Sequence, residues 1–168
     1  MKTLKSIALV FAIVAVFAFA VSAQTPLTRL DGGSVDVEAQ KGKVVVIAIG
    51  ASWLPLSNKQ AEYTSVLVKK YAGKNVVFYF VVTDSTSAKS KNFASDDAVR
   101  KFAAANKLTI PVLRDSDGAF VLKQFKIDQV PSFVILDKTG NQSGEAFGGI
   151  DPKFDVTVPI GKKIDSLL

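Results

Sequence analysis

The pattern of apolar and polar residues predicts strands that alternate with helices. Two continuous apolar runs, at 44–49 and 76–82, are rich in valine, isoleucine and phenylalanine. Runs of this kind are typical of strands that are buried on both faces, as at the centre of a parallel or mixed sheet. Shorter apolar runs at 112–113 and 133–136 predict two further strands.

Turn residues divide the remaining extended segments. The stretch 28–37 is interpreted as two short strands around Asp31-Gly32-Gly33, because glycine adopts the positive φ that a tight hairpin needs. Asp137-Lys138-Thr139-Gly140 predicts a second hairpin turn, with 142–147 as its return strand. The serine-rich segment 84–92 is predicted to be a surface loop.

Helical spacing follows Ser57 and continues to Gly73, with apolar positions at Ala61, Val66, Leu67 and Tyr71. A second helix is predicted to start at Ser95, which can cap it, with Asp96 and Asp97 in its first turn. Segments 119–125 and 160–168 predict a short helix and a final one. The order of elements predicts an α/β sandwich with both parallel and antiparallel strand pairs.

The first 23 residues have the pattern of a secretory signal peptide. Lys2 and Lys5 precede an apolar run at 7–21, and Val21-Ser22-Ala23 provides small residues before a cleavage site at Gln24. The alternative is an uncleaved anchor, but the run is shorter than the ~18–20 apolar residues that span a bilayer comfortably. We therefore predict one domain at 24–168, exported to the bacterial periplasm or medium and contacting membrane only if the signal is retained. Lipid attachment is excluded because the chain has no cysteine.

Composition excludes several kinds of chemistry. The chain contains neither cysteine nor histidine, so it lacks thiol nucleophiles and the usual ligands of soft metals. Ser57 has no histidine to activate it, and a helix N-cap role explains it better. Asp115 and Asp117 lack the other ligands of a calcium loop and are interpreted as a turn. We expect no metal and no cofactor.

The net charge of +6 comes mainly from dispersed lysines, and arginine occurs only at 29, 100 and 114. The doublets Lys69-Lys70 and Lys162-Lys163 fall on predicted helices and are interpreted as solvated faces. A nucleic-acid-binding surface would need clustered basic residues with interleaved aromatic residues. Nucleic acid is therefore not an expected partner.

An ordered set of segments resembles the TlpA/ResA branch of the thioredoxin-like superfamily, close to the redoxin (AhpC/TSA) group. The segments cover nearly all of the chain after the signal: Leu30-Asp31-Gly32-Gly33, Lys41-Gly42-Lys43-Val44-Val45-Val46-Ile47, Ala51-Ser52-Trp53-x-Pro55, Val81-Val82-Thr83-Asp84, Pro111-Val112-Leu113-x-Asp115-x-Asp117-Gly118 and Val130-Pro131-Ser132-Phe133-Val134-Ile135-Leu136-Asp137-Lys138-Thr139-Gly140. The resemblance implies a thioredoxin-like three-layer α/β/α sandwich, with a mixed sheet and an N-terminal β-hairpin extension.

The resemblance also implies a redox site whose sulfur atoms are missing. Leu54 and Ser57 occupy the positions of the two cysteines in the family's Cys-x-x-Cys motif. Ala48 stands where classical thioredoxins carry a buried carboxylate, and the proline that usually kinks the first helix is absent from 58–62. Thiol-disulfide exchange and cysteine-based peroxide reduction are excluded for this chain alone.

The family's binding cleft suggests which residues to consider. The resemblance implies a cis bond between Val130 and Pro131 beside the reactive turn, where the residue before the proline can pair with an extended peptide. The alternative is that Pro131 only begins a strand. The residues expected to border the cleft are Trp53, Leu54, Pro55, Leu56, Ser57, Val130 and Pro131. The apolar side chains at 53–56 either pack inward or form a binding patch.

Three functional hypotheses follow. The first is an exported module that binds an extended segment of a partner protein. The second is a redoxin or thiol-disulfide oxidoreductase whose cysteines are supplied by a partner. The third is a decayed paralogue that folds but has no specific activity.

Overall fold

The computed structural model describes residues 27–168, which form seven strands and four helices. The predicted signal peptide and its cleavage site lie outside the described residues. The strands are β1 (Leu27–Arg29), β2 (Ser34–Val35), β3 (Val44–Gly50), β4 (Val76–Val82), β5 (Val112–Arg114), β6 (Ser132–Leu136) and β7 (Phe147–Gly148). The helices are α1 (Pro55–Lys70), α2 (Asp96–Ala105), α3 (Val121–Gln124) and α4 (Thr157–Asp165).

All seven strands belong to one mixed sheet, in the order β2-β1-β5-β4-β3-β6-β7. β3, β4 and β5 are parallel neighbours, and the other pairs are antiparallel. The predicted hairpin at the start of the domain is confirmed as β1 and β2, which extend the sheet beyond β5.

Side chains that alternate along the strands form a separate core on each face of the sheet. On one face α1, α2 and α4 cover a cluster that includes Val46, Phe80 and Phe133. On the other face α3 and the segment around Val37 cover a second cluster. The three-layer α/β/α sandwich is confirmed, with three helices on one side and only the short α3 on the other.

The topology brings the ends of several strands together at one edge of the sheet. The parallel strands β3, β4 and β5 end there at Gly50, Val82 and Arg114, and four residues separate the end of β3 from the start of α1. Open α/β sheets bind ligands at the carboxyl ends of their parallel strands. This edge is therefore where the candidate site lies.

Two local expectations are wrong, and a third, the surface loop at 84–92, holds except at its first two residues. The predicted return strand at 142–147 is largely irregular: Gln142 makes an isolated bridge to Leu136, and regular pairing occurs only in β7. Val66, predicted on the buried face of α1, is 52% exposed. The predicted surface loop begins with Asp84 and Ser85, which are both buried.

The region 27–168 contains no helix that is long and apolar enough to cross a bilayer.

Candidate binding cleft at the Trp53 turn

The segment Ala51–Leu54, called here the Trp53 turn, connects β3 to α1. Its backbone closes through a hydrogen bond of 3.1 Å from the Leu54 N–H to the Ala51 oxygen. Pro55 follows as the first residue of α1, a position where the missing N–H of proline leaves no bond unmade. Strand end, turn and helix start are therefore all determined locally by the sequence.

The apolar residues of this region point outward rather than inward. Trp53 is 51% exposed and Leu56 is 36% exposed. Pro55 is also exposed, and Leu54 is half-buried. Of the two possibilities that the sequence left open, the structure favours an apolar surface patch over inward packing.

Ser57 lies beneath the patch and is fully buried. The expectation that it caps α1 is wrong, because Pro55 starts the helix and Leu54 occupies the N-cap position. The Ser57 hydroxyl instead accepts a hydrogen bond of 3.1 Å from the Ala51 N–H. Ser57 thus supports the turn from inside the protein.

Gln60 fastens α1 to the two strands below it, and sequence reasoning missed this role. Its Nε2 donates to the Ser132 oxygen at 2.7 Å and to the Ile49 oxygen at 3.2 Å. Its Oε1 has no hydrogen-bond partner among the described residues. A glutamine at a buried helical position one turn after the start of α1 is the signal that could have indicated it.

The bond between Val130 and Pro131 is cis, as predicted. The antiparallel β3–β6 ladder ends at the Ile49–Ser132 pair, so Pro131 directly precedes the last paired residue of β6 and Gly50 directly follows that of β3. Val130 is half-buried and Pro131 is buried. The structure therefore brings the predicted strand end next to the Trp53 turn.

A separate cavity lies near the end of β7, and the sequence did not indicate it. β7 pairs with β6 through Ser132 and Gly148, so the chain after β7 runs beside Pro131. This cavity, of about 380 Å³, is bounded mostly by apolar residues between β7 and α4, and none of the residues expected to border the cleft lines it. Its lining consists of Phe147, Gly148, Gly149, Ile150, Asp151, Phe154, Val156 and Pro159.

Asp84 is a second residue that sequence reasoning missed. It is fully buried, and its carboxylate accepts hydrogen bonds from the Ser52 N–H at 2.8 Å and from the Ser52 hydroxyl at 2.5 Å. The contact joins residues 32 positions apart, and no local pattern marks it. Only the Val81-Val82-Thr83-Asp84 segment pointed to this part of the chain.

The titratable group of α1 closest in sequence to the Trp53 turn is Lys59. A hydrogen bond to Glu62 raises the pKa of Lys59, so its ammonium stays charged and is a poor proton acceptor. Within residues 27–168 there is no group of three or more carboxylate side chains positioned to hold a metal ion. Around the Trp53 turn the exposed side chains are mainly apolar, namely those of Trp53, Pro55 and Leu56.

Solved structures place this architecture in the thioredoxin-like class. A secreted disulfide oxidoreductase from Mycobacterium tuberculosis, described as homologous to Escherichia coli DsbE, aligns with a TM-score of 0.65 at 21% identity, covering 86% of this chain and 96% of that one. A thioredoxin-like protein from Aeropyrum pernix aligns with a TM-score of 0.67 at 20% identity, covering 85% and 89%. The exposed lipoprotein thioredoxin Etrx1 of Streptococcus pneumoniae gives 0.67 at 22%, covering 86% and 100%.

The Redoxin family model matches residues 15–144, and the chain belongs to this family. Thiol-disulfide oxidoreductase ResA from Bacillus thuringiensis subsp. konkukian is 27% identical over 122 residues, which is 73% of this chain and 65% of that protein. Thioredoxin-like protein YneN from Bacillus subtilis is 31% identical over 114 residues, 68% and 62% respectively. The matches thus span somewhat less than two thirds of the length of these relatives.

Proposed function

We propose that this Redoxin-family chain is an exported protein that binds an extended segment of another exported protein, without carrying out thiol-disulfide exchange itself. The segment would lie in the cleft between the Trp53 turn and the Val130–Pro131 strand end. Its apolar side chains would contact Trp53 and Leu56.

The observation that carries the proposal is the exposed apolar patch on a firmly held turn. Trp53 and Leu56 keep about half and a third of their surface in water, while Ser57 and Gln60 beneath them are completely buried and hydrogen-bonded to the turn and to two strands. Contiguous exposed apolar surface is usually an interaction site. A rigid apolar surface also binds with a smaller entropy cost than a mobile one.

The absence of redox chemistry follows from the atoms present. Exchange requires a thiolate that attacks a disulfide sulfur, and the chain has no cysteine at 54, at 57 or elsewhere. A relative named thiol-disulfide oxidoreductase aligns with most of this chain. What this chain shares with it is therefore the scaffold, and we assign the binding step rather than the electron transfer to this protein.

Export is supported by two observations. Residues 1–23 have the charged, apolar and small-residue sections of a signal peptide. Two of the similar structures are described as a secreted protein and an exposed lipoprotein. The mass of the protein recovered outside the cytoplasm tests this part, since cleavage before Gln24 removes 23 residues.

The binding role is tested by photocrosslinking and pull-down from the exported protein fraction with wild type, Trp53→Ala and Val66→Ala. Val66 is the matched control, since it is 52% exposed on the same helix that follows the Trp53 turn. We expect Trp53→Ala to lose a specific partner that wild type and Val66→Ala retain. Equal capture by all three proteins would overturn the proposal.

Catalysis is tested separately by insulin reduction and peroxide consumption with the purified protein. We expect rates equal to the buffer background. Turnover that appears only when a captured, cysteine-containing partner is added would favour the alternative, in which the partner supplies the thiols. Turnover by the purified chain alone would contradict the proposal.

A further inference from the structure

We propose that Asp84 is a positioning residue that holds the Trp53 turn in its binding-competent shape, an inference that rests on the proposed binding function. Contacts of Asp84 and its neighbours around the carboxyl ends of β3, β4 and β5 support this role.

The first contact is the carboxylate itself. Asp84 lies two residues after β4 and is fully buried. Burying a carboxylate is costly unless hydrogen bonds satisfy its oxygens. Both side-chain oxygens of Asp84 accept from Ser52, one from its N–H and one from its hydroxyl. The burial of Asp84 therefore fixes the residue that directly precedes Trp53.

The second contact is made by Thr83, which also holds the backbone that leads into the Trp53 turn. The N–H and the hydroxyl of Thr83 both donate to the Gly50 oxygen, at 2.8 and 3.0 Å. Thr83 and Asp84, the two residues after β4, thus bind Gly50 and Ser52, which lie on either side of Ala51. Gly50 and Ser52 cannot shift without breaking four hydrogen bonds.

The third and fourth contacts anchor Asp84 from behind. Arg114, at the end of β5, is 7% exposed, and its Nη2 donates to the Ala94 oxygen at 3.0 Å and to the Asp84 oxygen at 3.4 Å. Nη1 lies 3.6 Å from the Asp96 carboxylate. The buried guanidinium of Arg114 therefore binds main-chain oxygens at both ends of the loop 84–94. The Ser85 N–H also donates to the Asn92 oxygen at 2.9 Å and joins the two ends of the loop.

The functional consequence concerns Trp53. Half of its side chain is in water, so packing alone does not determine the shape of the turn. The Asp84–Ser52 contact provides that constraint before any ligand arrives. Loss of the contact releases the turn, and a ligand must then order it on binding. We expect this to weaken affinity about tenfold, the effect of ordering one or two additional groups.

Trp53 is the only tryptophan in the chain, so fluorescence excited selectively at tryptophan reports on this turn. The test compares wild type with Asp84→Asn and Ser52→Ala, using acrylamide quenching and time-resolved anisotropy without any ligand. We expect stronger quenching and faster local motion of Trp53 in both variants, at temperatures well below their melting points. Ser52→Thr, which keeps the hydroxyl donor, should retain wild-type values.

Asp117→Asn is the matched control. Asp117 accepts from Ser85 and Ser116 in the adjoining turn, and neither contact involves Ser52. This variant disturbs the same loop but should leave Trp53 unchanged. Should Asp84→Asn fail to fold, Ser52→Ala carries the test, because it removes one hydrogen bond while keeping the carboxylate. Unchanged quenching and anisotropy in the folded variants would overturn the inference.

A second measurement compares the affinities of wild type and the variants for a synthetic peptide. The peptide has the sequence of the partner segment that is identified by crosslinking at the Trp53 turn. A tenfold loss with Asp84→Asn and none with Asp117→Asn supports the inference, and equal affinities contradict it. If wild type captures no partner, the proposed function fails, while the fluorescence arm still decides whether Asp84 holds the turn.

Discussion

The lack of a side chain at Gly50 allows α1 to approach β3 closely. A Cβ atom built at this position would lie 2.6 Å from the Gln60 Oε1 and 2.7 Å from the Ser57 Oγ. Both of these atoms belong to fully buried side chains that have little freedom to move. Any larger residue at 50 must therefore displace the start of α1.

We expect Gly50→Ala to lower the free energy of unfolding by about 1–3 kcal/mol, the usual penalty for inserting a methyl group into a packed interior. Chemical denaturation monitored by Trp53 fluorescence measures this change. In the Ser57→Ala background, where one of the two clashing atoms is absent, Gly50→Ala should cost less stability than it does in wild type. Wild-type stability in the single variant would show that α1 can move away at no cost.

Single residues divide clearly into those that the sequence could reveal and those that it could not. Contiguous motifs mark two features that could be predicted from the sequence. These are the cysteine positions now occupied by Leu54 and Ser57, and the cis bond before Pro131. The capping assignment of Ser57 failed because Pro55 starts the helix two residues earlier. The Asp84–Ser52 contact could not be predicted, since it arises only when two strands become neighbours in the sheet.

Tyr71 joins two secondary-structure elements, α1 and α4. Its hydroxyl lies 2.9 Å from the Gly161 oxygen and 2.9 Å from the Asp165 carboxylate. Burial raises the pKa of Tyr71, and the hydrogen bond to Asp165 raises it further. The folded protein therefore favours the neutral phenol more than the unfolded chain does.

The sign of the pH dependence follows from this shift. Because the pKa of Tyr71 is higher in the folded state, its contribution is complete at neutral pH. That contribution declines as pH rises above about 10, where the unfolded tyrosine begins to ionise. We expect Tyr71→Phe to lower stability by about 1 kcal/mol at pH 7. Between pH 7 and 11 the free energy of unfolding should decline less steeply for Tyr71→Phe than for wild type, as chemical denaturation at each pH measures. Identical slopes for the two proteins would contradict this role of Tyr71.

At the level of elements, the buried strands were the most predictable and the irregular return segment the least. Val44–Gly50 and Val76–Val82 are apolar on both faces, and this pattern leaves few alternatives to a central strand. The segment after Gly140 contains Gly144 at a φ of +84°, which strand residues do not adopt, so pairing with β6 is interrupted until β7. Composition alone did not locate that interruption.

The molecule as a whole retains the framework on which related proteins place their two sulfur atoms. Position 54 is half-buried directly before α1, and position 57 is buried in its first turn. Thiolates at helix N-termini are stabilised by the helix dipole and by free N–H groups. The scaffold should therefore still support the chemistry that its side chains no longer provide.

We expect the double variant Leu54→Cys/Ser57→Cys to form an intramolecular disulfide and to reduce insulin in the presence of dithiothreitol above the wild-type background. The loss of two mass units on oxidation and the turbidity of the insulin assay measure these outcomes. Leu54→Cys alone is the control and should not sustain turnover, because it lacks the resolving thiol. A disulfide that forms without turnover would show that the cleft no longer accepts a reducible substrate.

The outermost strands β2 and β7 each contain only two residues. Unpaired N–H and C=O groups at a sheet margin invite other chains to join, and very short margins limit that tendency. Concentrated solutions of the domain should consequently resist fibril growth through lateral joining of sheets. Any self-association should then occur through side-chain surfaces. Light scattering with and without added salt can distinguish association through charged side chains from association through apolar ones.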